Sequence, residues 1–177
     1  MNKPRSPAMS ELTEAFSHQY VISLPTMIVR LLLAGLLGAI IGFEREWQSR
    51  PAGLKTHTMV CIASATFTLL SLELVNVPYF NDQNIQMDPL RLIEAITSGV
   101  AFLAAGFIIF AKGEVKGITT GAGMWLASAV GLAAGLGMWE IAVLATILSV
   151  SVLLIMRLVQ PAVQNAAASD DTDETKS

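Results

Sequence analysis

Residues 117–156 carry a single charge, Glu140, in forty consecutive positions. As one helix that stretch would run about 60 Å, twice the hydrocarbon thickness of about 30 Å, so the chain must reverse within it. The segment Gly135-Leu136-Gly137-Met138-Trp139-Glu140 is the obvious place for the turn. The rest of the chain repeats the pattern of long apolar runs closed by charge. Residues 31–43 are uncharged, extend back through Arg30 to Thr26, and end at Glu44-Arg45-Glu46. That run is too long, and too firmly closed by charge, for a cleaved signal peptide. Two more runs cover residues 58–72 and 95–111, the second closed by Lys112 and Lys116. Five spans are therefore predicted, at residues 26–43, 57–75, 93–111, 118–136 and 141–158.

Composition supports a bilayer as the solvent. Of 177 residues, 53% are hydrophobic and 14% charged, against about 25% charged in a soluble domain. The net charge of −3 gives no basic field for nucleic acid, and one cysteine, Cys61, cannot form an internal disulfide. The expected fold class is all-α: a polytopic membrane helix bundle of about five transmembrane helices. Residues 1–24 form a polar amino-terminal segment, 25–158 the transmembrane domain, and 159–177 an acidic carboxyl-terminal tail expected to be disordered. Basic residues set the orientation. Arg45, Arg50, Lys55, Lys112, Lys116 and Arg157 fall on one side, and Lys3, Arg5, Arg30 and Arg91 on the other. Six against four predicts the amino terminus outside and the carboxyl terminus in the cytoplasm, with Trp47 at the inner interface and Trp139 and Tyr79 at the outer one.

Helices in lipid associate through close backbone approach at small residues. Ala34, Gly38 and Gly42 form one such stripe, Ala127, Gly131 and Gly135 another, with Gly117 and Gly121 ahead of it and Ala101, Ala105 and Gly106 in the third span. These ridges serve either a compact monomer or a homodimer face. Charges mark two levels. Arg30, Glu73 and Glu94 lie about 21–27 Å from the inner boundary at 1.5 Å per residue, with Asp88, Arg91 and Glu140 just beyond. Arg30 either bridges Glu73 or Glu94 and locks the helices, or the carboxylates of Asp88, Glu73 and Glu94 form a cation-attracting mouth of the hard oxygen ligands that Mg²⁺ prefers. At the other level, residues 44–58 combine alternating charge with a Pro51-Ala52-Gly53 bend. There Lys55, Thr56 and Thr58 suit either an anion at a helix amino terminus or ordinary capping. Glu44, Glu46 and His57 fit no defined metal spacing, and His57 alone reads as an interfacial residue. No hydrolytic, nucleotide-binding or redox motif occurs, so no enzyme and no cofactor is expected, Mg²⁺ aside.

The run from Arg30 to Glu46, followed by Arg50-Pro51-Ala52-Gly53-Leu54-Lys55-Thr56-His57-Thr58, resembles the signature of the bacterial MgtC/SapB membrane family. Asp88-Pro89-Leu90-Arg91, the block from Gly99 to Gly106, and Lys116-Gly117-Ile118-Thr119-Thr120-Gly121-Ala122 follow in the same order. Five blocks in sequence over residues 26–158 make the resemblance specific. It carries over Arg30, Glu44, Arg45, Ala52, Gly53, Leu54, Thr56, Asp88, Arg91, Gly106, Gly117, Thr119 and Thr120. Lys55 replaces the usual arginine, Ala101 and Ala105 stand where glycines are common, and Gly121 where alanine is usual. The resemblance is to a short form, expected without the carboxyl-terminal soluble domain of longer members. It implies a multi-pass protein of the bacterial inner membrane linked to magnesium homeostasis and growth when Mg²⁺ is scarce. The family's label as a Mg²⁺ transporter competes with a regulator that binds other membrane proteins, including the F-type ATP synthase. Three readings follow: a regulator working through helix contacts, a cation transporter or channel, and a sensor whose outer carboxylates bind Mg²⁺.

Overall fold

The computed structural model describes residues 20–75, 88–111 and 114–174; Lys3, Arg5, Tyr79 and Lys112 lie outside them. Among the described residues five helices follow one another: α1 (Leu24–Trp47), α2 (Leu54–Leu74), α3 (Pro89–Ala105), α4 (Ile118–Leu136) and α5 (Trp139–Glu174). A two-stranded antiparallel hairpin, β1 (Ile109–Ala111) and β2 (Glu114–Lys116), joins α3 to α4 and pairs Ile109 with Lys116. Among the described residues four helices are long and apolar enough to cross a membrane: α1, α2, α4, and α5 as far as Val159. The all-α membrane bundle expected from the sequence is the fold observed.

The third predicted span is corrected. Instead of running to residue 111, α3 stops at Ala105 and spans 17 residues, about 26 Å at 1.5 Å per residue. Hydropathy alone continues through Ile108, Ile109 and Phe110, but these are β-forming residues, and here Ile109 and Phe110 open the hairpin. At its other end α3 is well started: Asp88 accepts the Leu90 N–H at 2.9 Å, and Pro89 occupies the first turn. The fifth helix also departs from expectation. Rather than giving way to a loose tail near residue 158, it continues to Glu174, through Ala166, Ala167 and Ala168, the best of helix formers.

The reversal predicted near residues 135–140 takes two residues. Gly137 ends α4 with φ +84°, and its N–H bonds the Ala134 carbonyl at 3.0 Å. Gly117, with φ +89°, starts the same helix. A side chain at either position meets left-handed strain of about 1–2 kcal/mol. At Gly117 a Cβ would also collide with the Phe107 carbonyl. Gly117→Ala is therefore expected to lower the thermal midpoint in detergent more than Gly137→Ala, whose new methyl meets only the flexible end of Arg30.

The core lies where α1, α2 and α4 meet: Ala34, Leu37 and Ile41, Cys61 and Ala65, Val130, Ala133 and Ala134, with Ala142 of α5. A second cluster joins Ala52, Val60, Met124 and Ala127, with Val100 and Phe107 packed against it. α3 leans mainly on α4, and α5 rests on α4 and α1. The outer faces are the reverse of a soluble protein's. Ile28, Leu32, Leu36 and Ile40 form an exposed apolar stripe along α1, and Leu144, Leu148, Val152 and Ile155 do so along α5. Surfaces of that kind are stable in lipid.

Both small-residue ridges are used inside the monomer, packed on adjoining parts of one face of α2, and both reach Cys61. A Cβ on Gly38 would come within 2.7 Å of Cys61 Cβ, and one on Gly42 within 2.7 Å of Leu54 Cα. From α4, a Cβ on Gly131 would overlap the Cys61 carbonyl, and one on Gly135 would lie 2.8 Å from the Ala65 oxygen. Polar side chains fasten the same seam. Ser64 and Ser128 hydroxyls bond at 2.8 Å, and the Cys61 thiol donates to the Ala127 carbonyl at 3.0 Å.

Candidate functional site

The charged residues of the 44–58 segment fold inward. The last turn of α1 carries Glu44 and Arg45, and the bend at Pro51-Ala52-Gly53 turns α2 back against it. The close approach at Gly42 carries the first turn of α2 onto α1, and Ala52 is buried beneath the bend. The start of α4 closes the third side. Arg45 Nη2 donates to the Thr119 carbonyl at 2.7 Å, and Thr120 is buried alongside. Glu44, Arg45 and His57 are 9%, 3% and 0% exposed. These three helix ends form a buried polar knot.

Within the knot, Glu44 Oε1 accepts a hydrogen bond from Gln48 Nε2, and Glu44 Oε2 lies 4.0 Å from Arg45 Nε. His57 Nδ1 is 3.0 Å from the Gly53 carbonyl. A carbonyl only accepts, so Nδ1 carries the hydrogen and Nε2 is left to face inward. Glu44 Oε2, Arg45 Nε and His57 Nε2 are buried without a hydrogen-bond partner among the described residues. Gly123 of α4 makes room for them: a Cβ there would sit 3.1 Å from His57 Nε2 and 3.6 Å from Arg45 Nε. A guanidinium and an imidazole face this glycine, with the Glu44 carboxylate behind the guanidinium. Such a set suits a small neutral group that can donate and accept, whereas Arg45 repels a bare cation.

The sequence singled out Glu44, Arg45, Ala52, Gly53, Thr119 and Thr120, and the structure gathers all of them here. His57 is the correction: expected at the interface, it is fully buried. Gly123 was missed, and only its spacing of two from Gly121 in a glycine-rich helix start hinted at it. The anion reading of the α2 amino terminus also gives way, because the chain fills that place itself. Glu46 Oε2 accepts the Leu54 N–H at 3.0 Å, and the Thr58 hydroxyl bonds back to the Leu54 carbonyl. A Cβ on Gly53 would overlap the Glu46 carboxylate, so the cap requires glycine there. Lys55 is exposed and Thr56 half-buried.

At the opposite end the expected charge layer is dispersed. Glu73 accepts the N–H groups of Val21 and Ile22 at 3.0 and 2.9 Å. Arg30 bridges neither Glu73 nor Glu94. Its Nη1 donates to the Gly135 carbonyl at 2.8 Å, tying α1 to the end of α4, where helix carbonyls favour a cation. Asp88, Arg91 and Glu94 are exposed. Among the described residues no group of three or more His, Cys, Asp or Glu is placed to share a metal ion, so Asp88, Glu73 and Glu94 are not brought together.

Glycine-packed apolar helices with charges confined to their ends define a multi-pass membrane protein of the all-α class. A family model described as the MgtC family matches residues 31–162. The chain belongs to the MgtC family. It is 34% identical over 150 residues to an uncharacterized protein of Haemophilus influenzae, covering 84% of this chain and 61% of that one. To the protein SapB of Bacillus subtilis it is 40% identical over 119 residues, 66% of this chain and 50% of SapB. To the protein MgtC of Salmonella typhimurium it is 36% identical over 130 residues, 73% and 52% of the two chains. A relative from Escherichia coli, 32% identical over 71% of this chain, is named a putative magnesium transporter, YhiD. The chain thus spans about half to three-fifths of the length of these relatives. No solved structure matches it.

Proposed function

We propose that this chain is a multi-pass protein of the bacterial inner membrane, amino terminus outside, that serves magnesium homeostasis and adaptation to low Mg²⁺. It acts as a regulator through contacts with other membrane proteins, and the F-type ATP synthase is among the partners implied by the family resemblance. It is not an enzyme. The observation that carries the regulator over the transporter is the glycine seam. Backbones of α1 and α4 both close on α2, and hydroxyls that could line a path are spent on neighbouring carbonyls, as Thr68 is on Ser64 and Thr146 on Ala142. Apolar faces of α3 and α5 stay open for lipid or a partner.

The alternative, a Mg²⁺ transporter or channel, draws on the name of the Escherichia coli relative. Purified protein in proteoliposomes carrying a trapped Mg²⁺ indicator separates the two. The expected result is Mg²⁺ entry no faster than in protein-free vesicles, together with restored growth of a low-Mg²⁺-sensitive strain by the same preparation's gene. Saturable Mg²⁺ entry would replace the regulator with the transporter. The sensor reading fails if Glu73→Gln with Glu94→Gln leaves the growth response to Mg²⁺ unchanged.

A further inference from the structure

Where α1 begins and α4 turns into α5, a cleft of about 530 Å³ opens between Thr26, Val29 and Leu33 on one wall and Trp139 on the other. Arg30 lines it. Of its five N–H donors, the described residues take one, through the Gly135 carbonyl. No carboxylate among the described residues pairs with this guanidinium. A cation set in apolar walls within a membrane needs an anion or water to meet it.

Depth says which anion. Arg30 is six residues into α1, about 9 Å below the start of the helix at 1.5 Å per residue. Its long stem lets the guanidinium reach the level of lipid phosphates. Trp139 stands at the same end of the bundle, where indole rings favour the headgroup boundary. Below Arg30 the cleft wall continues toward the bilayer centre in Leu33, with the exposed Val29 beside it. A ligand that fills this place carries a negative phosphodiester at the top and alkyl chains below. We infer that the Arg30 cleft is a binding site for an anionic phospholipid, with the phosphodiester on the free guanidinium donors and an acyl chain along Val29 and Leu33. Arg suits this task because its planar fork meets two phosphate oxygens at once.

Quenching of Trp139 by brominated lipid tests the site directly. The protein, with Trp47 and Trp125 changed to Phe, is reconstituted in phosphatidylcholine containing a small fraction of brominated phosphatidylglycerol or brominated phosphatidylcholine. Phosphatidylglycerol is expected to be enriched at Trp139 by about fivefold, the factor equivalent to about 1 kcal/mol for one Arg at an anionic membrane surface. Arg30→Gln should bring the two lipids to parity. Val29→Phe, at a position 63% exposed, narrows the cleft while keeping Arg30. It should also remove the preference, and it decides the matter if Arg30→Gln does not fold. Equal quenching in the starting protein overturns the assignment, as does a preference that survives Val29→Phe or a folded Arg30→Gln. Loss of the preference on adding inorganic phosphate also overturns it, in favour of a small-anion site.

Discussion

Replacing Gly131 with leucine is expected to unseat α4 from α2 while leaving both in the membrane, at a cost of about 3 kcal/mol or more. A single carbon at this position already overlaps the Cys61 carbonyl and falls 2.9 Å from Cys61 Cα. Backbone cannot rotate away as a side-chain tip can, so the helices must separate, and the seam holding Cys61 on Ala127 and Ser64 on Ser128 goes with them. Insertion depends on the apolarity of each span, which leucine raises. Cys61, the one thiol in the sequence, reports the result because it is fully buried. Maleimide should leave it unlabelled in the folded protein and label it in Gly131→Leu membranes. Gly38→Leu should do the same from the α1 side and abolish function with insertion intact. A Cys61 that stays protected in both variants would mean the seam is looser than its distances indicate.

The second large effect is expected at the knot. Arg45→Met should destabilise the bundle by about 3–5 kcal/mol, the usual result of removing one partner from a buried ion pair. Two groups are stranded together: the Thr119 carbonyl loses its donor, and Glu44 Oε2 loses the cation 4.0 Å away. Glu44→Gln added to Arg45→Met should recover part of the loss, because an amide is far cheaper to bury than a carboxylate. A double-mutant cycle from thermal unfolding in detergent measures the coupling. A cost below about 1 kcal/mol for Arg45→Met would place the pair in water, where exposed ion pairs contribute that little.

Much of this architecture is legible in the residues. The span at 118–136 is identical in sequence and structure, and the turn at Gly137 follows from the length limit that a bilayer sets. The small-residue ridges are equally visible, but spacing cannot say whether they face a second copy or a neighbouring helix. In the structure they face α2. Boundaries fail where apolarity and secondary structure part company, as at Ile108 and Ile109, which a hydropathy reading keeps in a helix. The candidate site divides in the same way. Glu44, Arg45 and the Pro51-Ala52-Gly53 bend stand out as a pattern, but burial of His57 depends on Gly42 and Gly123 admitting it from two other helices. Glu46 occupies the end of α2 for a similarly non-local reason, since its reach across the bend is set by backbone geometry. The partner of Arg30 proved to be a carbonyl, a group every residue carries and no sequence advertises.

The position of α2 has a mechanical result. Glycines of two helices bear on it, Gly38 and Gly42 from α1 and Gly131 and Gly135 from α4. Dense interiors are barely compressible and pass strain along, and here no pliant side chain intervenes to absorb it. Strain entering α2 at any of these contacts is therefore handed to α1 and α4 through atoms that have no rotamer to escape into.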